Sequence, residues 1–143
     1  MTFRQATPHD LPTIYEILEG AIRRLGAMGV DQWQHGYPNR ERIAQDVAEG
    51  IGYAIEGRWL TDEENYVVVH RMCVAEEVVG HGFGRRFMEA AEQLSRGRVQ
   101  SFRVDTHADN RVMQSLLPRL GFTRCGIIYF ESRHLVAFEK RFD

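Results

Sequence analysis

Apolar residues recur along this chain with two periods, and the period changes where one element gives way to the next. Leu11, Ile14, Ile17/Leu18, Ile22 and Leu25 form one helical stripe. Thr7-Pro8-His9-Asp10 comes just before it, with a capping threonine, a proline at the first helical position and an acid three residues after the cap. A helix is expected over 8–27, lying on a sheet by its single apolar face. Ile43 and Val47, with neighbouring alanines, form a second stripe between the cap candidate Asn39 and the terminator Gly50, which predicts a helix over 39–49. A third amphipathic pattern covers 83–95 and is closed by Gly97. A fourth covers 110–120, with Val112, Met113, Leu116, Leu117 and Leu120 apolar and Gly121 at its end. Pro118 removes one hydrogen bond from that helix and crowds the carbonyl four residues back, so a kink or an early last turn is expected.

Between the helices the pattern is strand-like. Short strands are expected at 2–6, anchored by Phe3, and at 51–55, followed by a polar, turn-forming stretch around Trp59 and Leu60. The apolar, β-branched run from Tyr66 reads as a strand over 66–74, and VQSFRVD as one over 99–105, with Thr106-His107-Ala108-Asp109 as the loop after it. Segments 122–130 and 134–140, joined by Glu131-Ser132-Arg133, read as an antiparallel hairpin. The strand–helix–strand order from 66 to 105 makes those two strands parallel neighbours. The class that fits is α/β, in the mixed α+β sense: one mixed sheet covered by helices, over a single domain 1–143 without repeats or low-complexity tracts.

Composition narrows the function without naming it. A chain of 143 residues is one ordinary domain. Its formal charge of −2 supplies no field that would recruit nucleic acid or an anionic membrane. No segment has the apolar length of a membrane span, and MTFRQATPHD lacks the apolar core of a signal peptide, so a cytoplasmic protein is expected. Cys73 and Cys125, both within expected strands, read as buried thiols. His9, His35, His81 and His134 are scattered without ligand spacing, so no metal is expected.

The candidate chemistry centres on Val79-Gly80-His81-Gly82-Phe83-Gly84, between the 66–74 strand and the third helix. Glycines at 80, 82 and 84 permit backbone angles and close approaches that a Cβ resists. Successive N–H groups can then converge on a phosphate at the positive end of the helix, with Arg85 and Arg86 at the rim. No Gly-Lys-Ser/Thr follows, which excludes a nucleotide P-loop, and the glycine spacing is too short for a dinucleotide fingerprint. A phosphate or pyrophosphate site and a ligand-free connection both stay open on these residues alone.

Val74, the turn from Val79 to Gly84, and Asn110…Gly121-Phe122 together resemble the signature of the GNAT superfamily of acetyl-CoA-dependent N-acetyltransferases, in a bacterial subgroup; the likeness extends to DQWQHGYPN and covers nearly the whole chain. The resemblance implies the acyl-CoA N-acyltransferase fold, with the two parallel strands parting at their C-terminal ends. It implies acetyl-CoA as cosubstrate, its pyrophosphate on the backbone of 79–85 and its arm contacted by Asn110. It also implies that the backbone near Met72 and Cys73 faces the thioester, where an N–H bonds the acetyl carbonyl as charge develops on it.

Three departures stand out. Val79 replaces the family's usual Arg or Gln. Leu117 stands where many members carry a tyrosine that protonates the departing thiolate. The hairpin the family places before residue 66 is either lost or shortened in the protein or partly missing from the given sequence near 55/56, since only one clear strand fits in 51–65.

Acetyl transfer to a primary amine, of a small molecule or of a protein, is the expected activity, by direct transfer without a covalent enzyme intermediate. A non-catalytic acyl-CoA-binding or regulatory domain is the alternative. His107, next to Asp105, is the first choice for the base that takes the amine's proton, and His70 the second; either ring has a purely structural reading as well. His70 and Met72 should face away from Arg71 and Cys73 if the strand runs through all four. Arg71 makes either a structural salt bridge or a contact with acceptor or cofactor. Trp33, Gln34 and Tyr37, in a loop with Asp31 and His35, either contact the acceptor or plug the sheet edge. An exposed strand edge offers a surface for a homodimer.

Overall fold

The computed structural model describes residues 8–46, 56–57, 59–61, 65–130 and 133–142. The expected strands at 2–6 and 51–55, the capping Thr7 and the terminator Gly50 lie outside them. The chain forms two compact units, one of Met1–Gly52 with Cys73–Gly84 and one of Tyr53–Met72 with Arg85–Asp143.

In the first unit a 3-10 turn, Pro8–Asp10, leads into helix α1, Leu11–Ala27. Asp10 precedes the helix without a side-chain capping bond, and Pro12 sits in its first turn, where a missing N–H costs no helical bond. The stripe of α1 buries Leu18 and Ala21. Asn39 caps α2 (Arg40–Asp46) as its position predicts, its Oδ1 accepting from the Arg42 N–H at 2.8 Å.

The second unit is built on a sheet of strands β1 (Glu56–Gly57), β2 (Tyr66–Val69), β3 (Ser101–His107), β4 (Thr123–Phe130) and β5 (Arg133–Arg141). Among the described residues their order is β1-β4-β5-β3-β2, with β2 and β3 parallel and the other pairs antiparallel. The parallel pairing and the β4–β5 hairpin are those the pattern predicts. Phe102 and Val104 of β3 and Val136 and Phe138 of β5 share one face of the sheet. They form the core with Phe122, Met88 of α3 (Phe83–Ser95) and Leu117 of α4 (Arg111–Arg119). Phe102 and Leu117 are wholly buried, each contributing about 2 kcal/mol from removal of apolar area. Pro118 gives an early last turn: the Leu120 N–H is shared between the Leu116 and Leu117 carbonyls, and Gly121, at φ +85°, ends the helix.

The strands near the candidate site differ from the expected ones, and each difference has a local cause. β2 stops at Val69, not at 74. The β-branched run ends there, and Arg71 takes the left-handed region at φ +54°, which breaks the extended backbone. The alternation expected for His70, Arg71, Met72 and Cys73 therefore has no strand to act on. β3 runs two residues past its expected end, because β5 pairs with Thr106 through Val136 and with His107 through Leu135. Thr106 and His107 are strand residues, not loop residues.

Among the described residues no hairpin precedes β2. The strand found there, β1, pairs with β4 at the opposite edge of the sheet. Between them Leu60 and Thr61 are fastened to β5 by the Glu139 carboxylate, which accepts from the N–H of each.

Candidate active site

The glycine-rich turn has the backbone its sequence calls for. Gly80 and Gly82 sit at φ +82° and +76°, where an L side chain is strained, although a Cβ would meet nothing within 4 Å at either position. The glycines are therefore there for backbone angle and leave the turn open to close approach. A 3-10 turn, Glu76–Val78, leads into it, and the His81 N–H bonds the Val78 carbonyl at 3.2 Å. The His81 ring lies back on the turn, with Nδ1 3.1 Å from the Val79 carbonyl oxygen. α3 begins at Phe83, so Gly84 and Arg85 belong to its first turn, whose N–H groups have no acceptors within the helix. Arg85 Nε donates to Glu89 at 2.7 Å, one turn along α3.

The parallel strands part where the sequence resemblance implies. Their last paired residues are Val69 and Val104, and β3 continues to His107 with β5 alone. At the point of parting, Nδ1 of His70 lies 3.2 Å from Oδ2 of Asp105. An ionised carboxylate only accepts, so Nδ1 carries the hydrogen, and the lone pair of the neutral ring is on Nε2. His107 has the opposite tautomer. Its Nδ1 lies 3.2 Å from the Asp109 N–H and 3.6 Å from the Asp109 carboxylate; the shorter contact makes Nδ1 an acceptor, which puts the neutral ring's hydrogen on Nε2 and engages its basic nitrogen. Asp105 and His107 share one face of β3, opposite to Phe102, Val104 and Thr106. Pairing Asp105 with His70 was beyond the sequence pattern, which placed the carboxylate beside His107. The β2–β3 register carries the signal, since the residue after Val69 falls beside the one after Val104.

The other candidates are variously engaged. Asn110 caps α4, its Oδ1 accepting from the Met113 N–H at 3.1 Å. Met72 packs against the core of the second unit. Cys73 is half-buried, and burial pushes its thiol up to about 11 against the opposing influence of Arg24. The Val74 carbonyl accepts from the Arg24 guanidinium at 2.7 Å; α1 thus holds the segment after β2, a link the sequence does not show. Val79 is exposed. Leu117, at 0% exposure, is a core residue with no proton to give.

In the loop after α1, Trp33 is held at φ +68°, a strained angle for a bulky side chain. Gln34 donates through Nε2 to the Ile22 carbonyl at 2.9 Å and to that of Gln32 at 3.1 Å. Gly26 makes room for it, since a Cβ there would meet Gln34 Oε1 at 2.5 Å. Tyr37 is half-buried, and His35 pairs with Asp31 at the surface at 2.9 Å. Among the described residues no group of three or more His, Cys, Asp or Glu side chains could hold a metal ion, and no helix is long and apolar enough to cross a membrane.

Comparison with known proteins points the same way. The chain matches the solved structure of a GNAT-family acetyltransferase from Streptococcus agalactiae 2603 at 28% identity and a TM-score of 0.84, over 98% of this chain and 94% of that one. It matches a ribosomal-protein-alanine N-acetyltransferase from Brucella melitensis at 18% identity and a TM-score of 0.67, over 99% of each chain. It also matches yncA from Salmonella typhimurium, solved with its cofactor acetyl-CoA, at 16% identity and a TM-score of 0.66, over 100% of this chain and 94% of that one. These last two show the fold alone. No curated protein matches the chain. The acetyltransferase (GNAT) family profile covers residues 14–122, and with most of its length inside that match, the chain belongs to the acetyltransferase (GNAT) family.

Proposed function

We propose that this protein transfers the acetyl group of acetyl-CoA directly to a primary amine, with His70 as the base that takes the amine's proton. The observation that carries this reading is the His70–Asp105 pair at the point where β2 and β3 part. Acetyl-CoA supplies the thioester, whose carbonyl carbon bonds the amine nitrogen as its bond to sulfur breaks. Gly80 and Gly82 shape the backbone of 79–85 to take the pyrophosphate, together with the N–H groups of the first turn of α3. Asn110, which also caps α4 through Oδ1, contacts the arm as the family resemblance implies. Backbone N–H near Met72 and Cys73 bonds the acetyl oxygen and strengthens as charge develops there.

Asp105 fixes the His70 tautomer that leaves Nε2 basic, and His107 is tied off by its own turn. This reading puts His70 before His107, the opposite order to that read from sequence. The departing thiolate takes its proton from solvent, because Leu117 offers none. The family resemblance assigns Trp33 and Tyr37 to the acceptor, and the strained angle of Trp33 motivates keeping that assignment; Gln34 is bonded to α1 and to its own loop. The buried Leu117 also motivates the second reading, a domain that binds acyl-CoA without turnover.

The test is a comparison of His70→Gln with His107→Gln on an amine substrate. The account expects kcat to fall about 10²–10³-fold in the first, with KM for acetyl-CoA little changed, and less than about threefold in the second. The reverse order would return the role to His107.

A further inference from the structure

Thr106 is 2% exposed, and its hydroxyl is a buried polar atom with no hydrogen-bond partner among the described residues. Buried hydroxyls are nearly always bonded, because one stripped of water without a replacement costs free energy. Valine would fill the same space on a strand without that cost. A partner from outside the chain would remove that cost.

Its place in the fold indicates which partner. Thr106 is two residues beyond the last β2–β3 pair, Val69–Val104, so it stands on β3 where the parallel neighbour has left. It shares the face of Phe102 and Val104, which packs with Met88 of α3 and Leu117 of α4, while Asp105 and His107 point to the other face. The hydroxyl is therefore on the helix-covered side, in otherwise apolar surroundings, with the His70–Asp105 pair on the opposite side of the strand.

We infer that Thr106 Oγ1 is a hydrogen-bonding contact for a secondary amide of the pantetheine arm, an inference that rests on the acetyl-CoA reading. The arm of CoA carries two such amides separated by methylene groups, and one hydroxyl in an apolar wall fixes the register of such a chain. Thr106 acts on binding and arm position and takes no part in bond making.

The experiment titrates wild type, Thr106→Val and Thr106→Ser with CoA and with adenosine 3′,5′-bisphosphate, which lacks the arm, and records ligand-free thermal unfolding of each. Thr106→Val is expected to weaken CoA about five- to tenfold and leave the bisphosphate unchanged. Its ligand-free Tm should hold or rise, because a group without a partner has been replaced by an apolar one of the same shape. Thr106→Ser, which keeps the hydroxyl, should bind CoA within about twofold of wild type. Equal CoA affinity in wild type and Thr106→Val would overturn the inference while leaving the acetyl-CoA reading intact, and so would equal loss of both ligands. If wild type bound neither ligand, the acetyl-CoA reading would fail and this contact with it.

Discussion

Glu139 offers the sharpest test of how the second unit is held together. It is fully buried on β5, and its Oε1 accepts from Ser101 Oγ at 2.6 Å, Thr61 Oγ1 at 2.6 Å and Arg103 Nε at 3.0 Å. Its Oε2 takes the N–H groups of Leu60 and Thr61. Arg103 is in turn sandwiched between the rings of Trp59, at 4.4 Å, and Tyr66, at 3.9 Å. Glu139→Gln keeps the shape but turns one acceptor into a donor that faces donors, and it leaves the guanidinium without its carboxylate.

Breaking one side of a buried pair costs about 3–5 kcal/mol, against a total stability of about 5–15 for a domain. At a urea slope near 2 kcal/mol/M, the unfolding midpoint should fall by about 2 M at pH 7. Replacing both partners, Arg103→Met with Glu139→Met, should cost less than Glu139→Gln alone, because no buried charge is left uncompensated.

The pH dependence has a definite sign. Burial pushes the Glu139 carboxyl up, but hydrogen bonds from Ser101, Thr61, Arg103 and the Leu60 N–H outweigh it and hold the group below its ordinary value of 4.5. A folded-state value below the unfolded one adds stability above the unfolded value, and that stability is lost as pH falls through the folded one. The gap between wild type and Glu139→Gln should therefore narrow below about pH 4.5. A gap under about 1 kcal/mol at pH 7, or one unchanged down to pH 3, would refute this account of the network.

Further outcomes follow from the candidate site. Gly82→Val should weaken CoA at least tenfold by calorimetry, because a β-branched residue resists φ +76°; circular dichroism should still show a native fold, since a Cβ there meets nothing within 4 Å. Cys73→Ala should keep turnover within about threefold, because the wild-type thiol, pushed up to about 11, is protonated at neutral pH and is no nucleophile. In a Cys125→Ser background, alkylation of Cys73 should be slow at pH 7.5 and accelerate toward pH 11; rapid labelling at pH 7.5 would contradict the buried, protonated thiol.

The long-period features were legible in the sequence because they depend on local pattern. The stripe from Leu11 to Leu25, the capping Asn39 and the β4–β5 hairpin follow from helical and strand spacing, and the parallel β2–β3 pair from element order. The glycine turn was legible too, since Gly80 and Gly82 have the left-handed angles that make glycine the natural choice. What escaped depends on residues far apart in the chain. Arg71 leaves the extended region although nothing in HRMCV announces a bend. Thr106 and His107 belong to β3 because β5 pairs with them. The Asp105 partner escaped for the same reason: His70 lies 35 positions away and meets it through strand register. The Glu139 network escaped as well, because Arg103, Ser101 and Thr61 converge on it only across the folded sheet.

The central claim is acetyl transfer to an amine, and CoA thiol release from acetyl-CoA across a panel of primary amines, amino acids and amino-terminal peptides tests it most directly. The account predicts amine-dependent release of one thiol per N-acetylated product, with no acetylated protein trapped when the amine is withheld. Saturable acetyl-CoA binding without amine-dependent release from any panel member would contradict it and leave the acyl-CoA-binding domain as the reading that stands.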